Sequence, residues 1–588
     1  MDPVAIPPFV LVFVGALALY FLPRRLGFSM GILSVISAGF IIATLSYGTY
    51  HEYTVFGVFD VVLFRLDVFN ALIGVIFALL GSAALLYSYA SELPEKTAAV
   101  ALFYMASTFG ALFAGDWLTL LIFAELMAVT STVLVWQYGG EAVRAAYRYA
   151  LAHGIAGTLM FMGVAWHYIS AGSLELTATG IASGWPTLLM ILGIGINCGF
   201  IGLHMWLPDT YPRPHFAASV FLSVFTTKTS AYILFRIFPE GGAALALAYM
   251  GGAMAIYGVI FALLQHNMRA LLSYHIQAQM GYMIAGIGLG LYLGGEALNV
   301  GVGGATAHLV NNILFKSLLF MAVGVIIYRT GIENLYELGG LYKVMPLTFA
   351  AFLLGALSIT AVPGFNGFIS KGLILDAANP VYFGGGNTVI YWMLMIGAVG
   401  TFLSFIKLGY YVFLHNKPEL NVQDANRLQT VSMLFIGGFC LLLGVHWTAF
   451  VEKLPLLGAD IRLQPYSAGH LQDALMLSIT SLVVFKIIRK PLSSLHISDP
   501  ASLQYPLIFH LTELITGLIS RIYGPVDNTV KKVVRKLYSK CSDPESFEST
   551  VNTLLQRDED IRPGAGLNEA LLIVVTFLTL MLALFTMI

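Results

Sequence analysis

Long apolar runs dominate the chain and recur at nearly constant length. Stretches of about 20 mostly apolar residues are long enough to cross a bilayer as helices. They predict spans near 5–23, 28–48, 69–90, 98–115, 117–138, 146–170, 186–207, 215–238, 242–264, 270–293, 299–328, 346–378, 388–414, 429–449 and 469–488, with a sixteenth near 566–588. Two places are interrupted. "HMWLPDTYPRPHF" puts Pro208, Pro212 and Pro214 between the seventh and eighth spans, and "SITAVPGFNGFISKG" puts Pro363, Gly364 and Gly367 inside the twelfth. Proline removes a backbone donor, and lipid tolerates the freed groups only where they face protein or a water-filled cavity. Breaks five spans apart predict two five-helix repeats, spans four to eight and nine to thirteen, as in ion transporters.

Composition agrees. Of 588 residues 58% are hydrophobic and 10% charged, with a mean hydropathy of +0.82; soluble domains carry roughly 25% charged residues. The expected fold class is an all-α polytopic membrane protein with about 16 transmembrane helices. A net charge of −1 without a basic patch argues against a nucleic-acid partner. Cys198, Cys440 and Cys541 are too scattered for a metal site or a disulfide framework. The "GIGIN" glycines at 193–197 lie in an apolar span, where glycine serves close helix packing rather than phosphate binding. With no nucleotide, flavin or metal motif, no cofactor and no redox chemistry are expected of this chain itself. The first span reads as a retained helix rather than a signal peptide.

Positive charge sets orientation. Odd-numbered loops carry Arg24, Arg25, Lys96, Arg144, Arg148, Arg213, Arg269, Arg329, Lys343, Lys417 and Arg427, eleven against the four of the even loops, Arg65, Arg236, Lys453 and Arg462. The odd loops are therefore expected in the cytoplasm and the N-terminus outside. The same count places 489–565 in the cytoplasm. Its apolar stretches are cut by Pro506, Pro525 and Pro544, and it holds Lys531, Lys532, Arg535, Lys536 and Lys540. That pattern predicts a lateral amphipathic helix on the membrane surface; a disordered loop is the plainer alternative. The expected organisation is N-terminal helices in 1–97, a first repeat in 98–238, a second in 242–414, further helices in 415–490, the lateral segment in 491–565 and a final anchor in 566–588.

Several charges fall inside spans: Glu125, Lys228, His308, Lys316, Lys371 and Lys407. On insertion scales a lysine at a helix centre costs roughly 2.5–3.5 kcal/mol, so this many charges are expected to serve a purpose. In "HLVNNILFKSLLF" His308 and Lys316 are eight residues apart, about 12 Å along a helix, with Asn312 one turn from each. This stripe suits ordered water and a proton path. The plainer alternatives are snorkelling for Lys407 and Lys371, a core histidine at 308, and a static ion pair between Glu125 and Lys228. His204 and His275 are ambiguous.

At these residues the chain resembles the antiporter-like subunits shared by Mrp-type Na+/H+ antiporters, respiratory complex I and membrane-bound hydrogenases, over roughly 70–420. Glu125 matches the fifth-helix glutamate, "HMWLPDTY" the broken seventh helix and Lys228 in "TKTSAYILFR" the eighth-helix lysine. "HLVNNILFKSLLF" carries over His308 and Lys316 as central proton carriers, and "PGFNGFISK" carries over Lys371 as the terminal exchange residue. "LLSYHIQAQMGYM" at 271–283 resembles the Mrp D subunit. The chain departs where the family usually has a lysine nine residues before the tryptophan of "WLP"; here that position is Asn197. Either Lys228 takes over or this half conducts differently, and the nearest cation to Glu125 is expected to be Lys228 or Arg148; Asn197, Arg148, His204, Asn312 and Lys407 are the candidate supporting residues of the proton path. Gly202 replaces a family proline, and Asn267 and Met268 replace an acidic–basic pair. The resemblance implies a proton-conducting subunit of a multi-subunit Na+/proton antiporter in the cell (inner) membrane of a prokaryote, among other membrane subunits and lipid. The alternatives are a proton-pumping membrane-arm subunit of a complex I-like or hydrogenase-like redox complex, and a non-conducting structural subunit.

Overall fold

The computed structural model describes residues 6–504 apart from 178–179, 238–240, 384–385, 417–419, 457–463 and 496; beyond 504 it describes only 506–507, 510, 514, 517 and 532. The expected lateral segment and final anchor thus lie almost wholly outside the described residues. The chain divides into two units, Met1–Ala501 and Ser502–Ile588, and the helical bundle with its buried charges belongs to the first.

The fifteen expected spans within the described residues are all present. In order the helices are α1 (Pro8–Phe21), α2 (Arg24–Thr44), α3 (Val68–Ala90), α4 (Glu95–Phe113), α5 (Trp117–Trp136), α6 (Glu141–Ala171), α7 (Trp185–Cys198), α8 (Trp206–Thr210), α9 (Phe216–Leu222) and α10 (Phe225–Ile237). They continue with α11 (Gly241–Leu264), α12 (Met268–Leu293), α13 (Gly295–Thr330), α14 (Pro346–Ile359), α15 (Asn366–Ala378), α16 (Pro380–Phe383), α17 (Thr388–Gly409), α18 (Arg427–Val445), α19 (Trp447–Val451) and α20 (Ala468–Ser494). Among the described residues eleven spans are long and apolar enough to cross a membrane by themselves.

One element is absent from the apolar pattern. Strands β1 (Gly48–Val55) and β2 (Phe59–Leu66) form an antiparallel hairpin between α2 and α3. It docks on the α4–α5 corner, where buried Asp116 accepts from the Val62 N–H at 2.7 Å and from Thr119 N at 2.8 Å. One carboxylate thus pins the hairpin and caps α5.

The breaks are where the chemistry lies, and one differs from its sequence reading. The seventh span breaks before its prolines: α7 ends at Cys198, and the chain crosses to α8 through Gly199 and Gly202, both at positive φ (76° and 84°). Glycine adopts that conformation freely. Pro208 sits inside α8, within its first turn, where proline is tolerated. The eighth span also breaks, between Leu222 and Phe225. The twelfth breaks where expected, from Ile359 to Asn366, with Gly364 at φ 94°. A methyl group on Gly367 would lie 1.9 Å from the Ser358 carbonyl oxygen, so only glycine allows the two half-helices to approach.

Small residues also form a seam between α11 and α12. A Cβ on Gly251 would meet the Gly281 carbonyl at 2.5 Å, one on Gly258 the Tyr274 carbonyl at 2.8 Å, and one on Gly288 the Ala244 carbonyl at 2.6 Å. The backbones meet directly over the length of both helices.

Candidate functional site

Three of the four buried lysines share one structural habit. Lys228 Nζ donates to the Ser223 carbonyl at 2.7 Å, just past the end of α9, and to Thr227 Oγ1 at 3.1 Å. Lys371 Nζ donates to the Ile359 carbonyl, the last of α14, at 2.8 Å. Lys407 Nζ donates to the Leu263 and Gln265 carbonyls at the end of α11, both at 2.6 Å. Carbonyls at helix C-termini lack intrahelical partners and carry the negative end of the dipole. Each break or end thus supplies the acceptor that its lysine needs. Lys316 differs, donating to Leu272 in the second turn of α12 at 2.8 Å. None of the four forms an ion pair among the described residues. Carbonyl partners suit a proton carrier, because an ammonium and a neutral amine both keep N–H donors for them. Lys407 does not snorkel: it is fully buried and held by two carbonyls.

His308 is tied on both sides. Its Nε2 meets Gln279 Oε1 of α12 at 3.1 Å and its Nδ1 meets Ser370 Oγ of α15 at 3.0 Å. Ser370 precedes Lys371 in the chain, so His308 joins the central helix α13 to the half-helix that carries Lys371. Between His308 and Lys316 the Asn312 amide is fully buried, and among the described residues neither its oxygen nor its nitrogen has a protein partner. The same holds for both ring nitrogens of His275 on α12, the Gln277 oxygen and the Asn311 oxygen. His275, ambiguous on the sequence, lies within α12. Buried polar groups without protein partners are where structural water binds. The expected polar stripe is therefore wider than "HLVNNILFK": it spans α12, α13 and α15.

The first half is arranged differently. Arg148 is committed elsewhere: it clamps Asp209 of α8 through Nε at 2.6 Å and Nη2 at 2.9 Å, joined by Arg213. Lys228 is committed to Ser223 and Thr227. Neither forms a direct ion pair with Glu125 among the described residues. The Glu125 carboxyl instead lies over Gly157 of α6, where a Cβ would come within 1.7 Å of Oε1. Asn197, in place of the family lysine, accepts at Oδ1 from His153 Nδ1 at 2.7 Å. His153 went unremarked in the sequence, although a histidine inside a span was itself a signal.

Asp499 also escaped notice. It follows α20, in the stretch read as the start of a surface arm, yet its carboxylate is buried and accepts from His204 Nε2 at 2.9 Å, Tyr274 Oη at 2.9 Å and Tyr257 Oη. No local pattern marks it, because its partners lie far away in sequence.

Beside Lys371 a cavity with about 60 Å³ of room for water centres, enough for several waters, is lined by Thr360, Asp376, Asn379, His470 and Asp473. At its rim His470 Nε2 meets Asp376 Oδ1 at 2.8 Å. His470 Nδ1 is 3.1 Å from both the Gln464 carbonyl and Ser467 Oγ. The carbonyl accepts from a protonated nitrogen and the hydroxyl can donate to a bare one, so the site accommodates His470 in either protonation state.

Comparison with known proteins follows the same lines. Residues 114–404 match the family model described as "NADH:quinone oxidoreductase/Mrp antiporter, TM". The chain is 28% identical over 369 residues to NADH-quinone oxidoreductase subunit N of Desulforudis audaxviator, covering 59% of this chain and 71% of that protein. It is 26% identical over 402 residues to the D subunit of the Na(+)/H(+) antiporter of Alkalihalophilus pseudofirmus, covering 63% and 79%. The fold is similar to a chain of the membrane-bound sulfane sulfur reductase, an archaeal respiratory membrane complex, with a TM-score of 0.71 and 21% identity over 94% of this chain and 99% of that one. The matched segment holds Glu125, Lys228, His308, Lys316 and Lys371, and through it this chain belongs to the antiporter-like membrane subunit family shared by NADH:quinone oxidoreductases and Mrp antiporters.

Proposed function

We propose that this chain is the proton-conducting subunit of a multi-subunit Na+/proton antiporter in a prokaryotic cell membrane, with its N-terminus outside. The observation that carries this reading is the row of buried protonatable side chains. Lys228, Lys316, His308 and Lys371 are buried in the bundle, and among the described residues the nearby Asn312 amide and His275 imidazole have no protein partner. A purely structural subunit has little use for them, since each such group costs stability unless water or an ion completes it. In the proposed path Lys316 is the central relay, the Asn312 region carries water to His308, and Lys371 exchanges protons with the cavity beside it. The relative named as the D subunit of an Na(+)/H(+) antiporter supports Na+ as the coupling ion. The multi-subunit membrane assemblies among the structural neighbours support membrane partners around this chain.

The relative named NADH-quinone oxidoreductase subunit N favours a second reading, a proton-pumping subunit in a redox complex. Transport assays on the purified complex in proteoliposomes, with its subunits identified, separate the two. An antiporter exchanges Na+ for protons down an imposed gradient without any redox substrate, whereas a pump needs electron transfer. In either case Lys316→Ala should abolish proton movement while leaving assembly intact. Full transport by that variant leaves only the structural reading.

A further inference from the structure

We propose that His153 is the proton-exchanging partner of Glu125, the base of the first half of the conduction path; the proposal rests on the proton-conducting reading above.

Two groups on neighbouring helices, His153 buried and Glu125 partly exposed, lack what they need. Glu125 on α5 makes no hydrogen bond or ion pair among the described residues, although its carboxyl lies over Gly157 of α6. His153 lies one turn before Gly157 on the same helix, 3% exposed, and its Nε2 has no partner among the described residues. Its other nitrogen is assigned by its neighbour. Asn197 Oδ1 can only accept, so Nδ1 carries the hydrogen and Nε2 carries the lone pair. The tautomer is thereby fixed with a bare base in the protein interior. A histidine serving only to tether α6 to α7 needs Nδ1 alone, and leaving Nε2 uncapped would then be pure cost.

The proton balance is simple. The Glu125 carboxylic acid gives its proton to His153 Nε2 through intervening water, leaving a carboxylate and an imidazolium. Nδ1–H stays on Asn197 throughout, and the reverse transfer restores both groups. A chain of hydroxyls stands next to this pair. The His153 ring packs on Tyr149, with centroids 4.1 Å apart. Tyr149 Oη lies 3.4 Å from Thr226 Oγ1, which is 2.6 Å from Tyr104 Oη. Thr226 is two residues from Lys228, whose amine touches Thr227. These hydroxyls stand beside the pair on the side of the first buried lysine, and water would have to join His153 Nε2 to them and them to Lys228.

The geometry also supplies the test. Asn197 touches His153, so a lysine at position 197 would bring its amine into the same space. In the whole complex reconstituted into proteoliposomes, His153→Gln should lower proton transport by about tenfold or more, the scale of losing a proton-transfer group. Asn197→Lys added to it should restore most of that loss, which a lysine could not do for a lost tether. Glu125→Gln should abolish the rescue. If His153→Gln fails to assemble, His153→Phe keeps the ring that stacks on Tyr149 and Trp206 and serves in its place. An assembled His153 variant with full transport, or a loss that Asn197→Lys leaves untouched, overturns the proposal. Failure of both variants to assemble marks His153 as a tether and overturns it equally. Lys316→Ala, run in parallel, keeps the two readings apart. If it too transports fully, the conduction path is wrong; if it is inactive while His153→Gln is normal, only the role of His153 is wrong.

Discussion

Asp499 and His204, 295 positions apart in the chain, meet at 2.9 Å between a carboxylate oxygen and Nε2. The same carboxylate accepts from Tyr257 of α11, Tyr274 of α12 and the Ala501 N–H. One side chain from beyond the fifteenth span thereby closes over the gap between α7 and α8. Burial opposes its ionisation, yet the hydrogen bonds from His204, Tyr257 and Ala501 hold its carboxyl below the ordinary carboxylate range.

Removing this latch should be costly. Asp499→Ala should destabilise the solubilised complex by roughly 1.5–3 kcal/mol, the range for a hydrogen-bonded charged group, and expose the chain near residue 499 to protease. The sign of the pH effect follows from the lowered pKa. The latch contributes fully above the unfolded carboxylate value of about 4 and is lost as pH falls through the lower folded value. Thermal unfolding and limited proteolysis against pH check this; a wild-type melting curve for Asp499→Ala would refute it.

Lys407 should behave as a structural residue. Replacing it with alanine leaves the Leu263 and Gln265 carbonyls at the end of α11 without their donor, so stability should fall by roughly 1–3 kcal/mol. Transport per assembled complex should hold. Lys371→Ala also frees a carbonyl, that of Ile359, but should in addition abolish transport per assembled complex. Quantifying assembled complex beside its transport rate distinguishes the two lysines.

Gly157→Ala should reproduce the loss of Glu125. The added methyl would overlap Oε1 of the glutamate, forcing the carboxyl away from α6 and His153. A drop in transport matching that of Glu125→Gln is expected, with the double variant no worse than either alone. Additive losses would mean that Gly157 acts elsewhere.

Asp376→Asn should slow proton exchange at the cavity beside Lys371. It keeps the shape of the side chain but removes the charge that faces His470. Transport should fall by about tenfold, and varying pH on the side where the cavity opens should reveal the defect. A rate equal to wild type would show that protons leave Lys371 by another route.

Arg148 and Asp209 should act as one unit. Each single alanine variant should cost roughly 1.5–3 kcal/mol, and the double variant should cost much less than their sum. Thermal unfolding of the three variants gives the coupling directly.

The spans were legible because lipid demands long apolar runs, and the break of the twelfth was legible because Pro363 and Gly364 announce it. The break of the seventh was misplaced by several residues. Prolines drew attention to 208–214, whereas Gly199 and Gly202 turn the chain. The β-hairpin was invisible because its strands are short and lie between spans. Lys228, His308, Lys316 and Lys371 stood out as polar exceptions in apolar surroundings, and all four are buried. Their partners did not stand out. Leu272 and Ile359 act through backbone carbonyls, which no residue identity reveals. On the sequence Arg148 was tied only to Glu125, and the folded position of α8 brings it to Asp209.

The glycine seam joining α11 to α12 bears on how ions could move through this chain. Where backbone touches backbone there are no side chains to reshuffle, so neither helix can slip along the other without tearing the contact. The two behave as a single stiff beam. Tyr257 and Tyr274 anchor Asp499 toward one end of it, while Gln279, which holds His308, sits further along. A displacement at the latch would therefore arrive undamped at the histidine, and whatever changes during turnover along this beam must be rotamers and water order rather than the spacing of the helices.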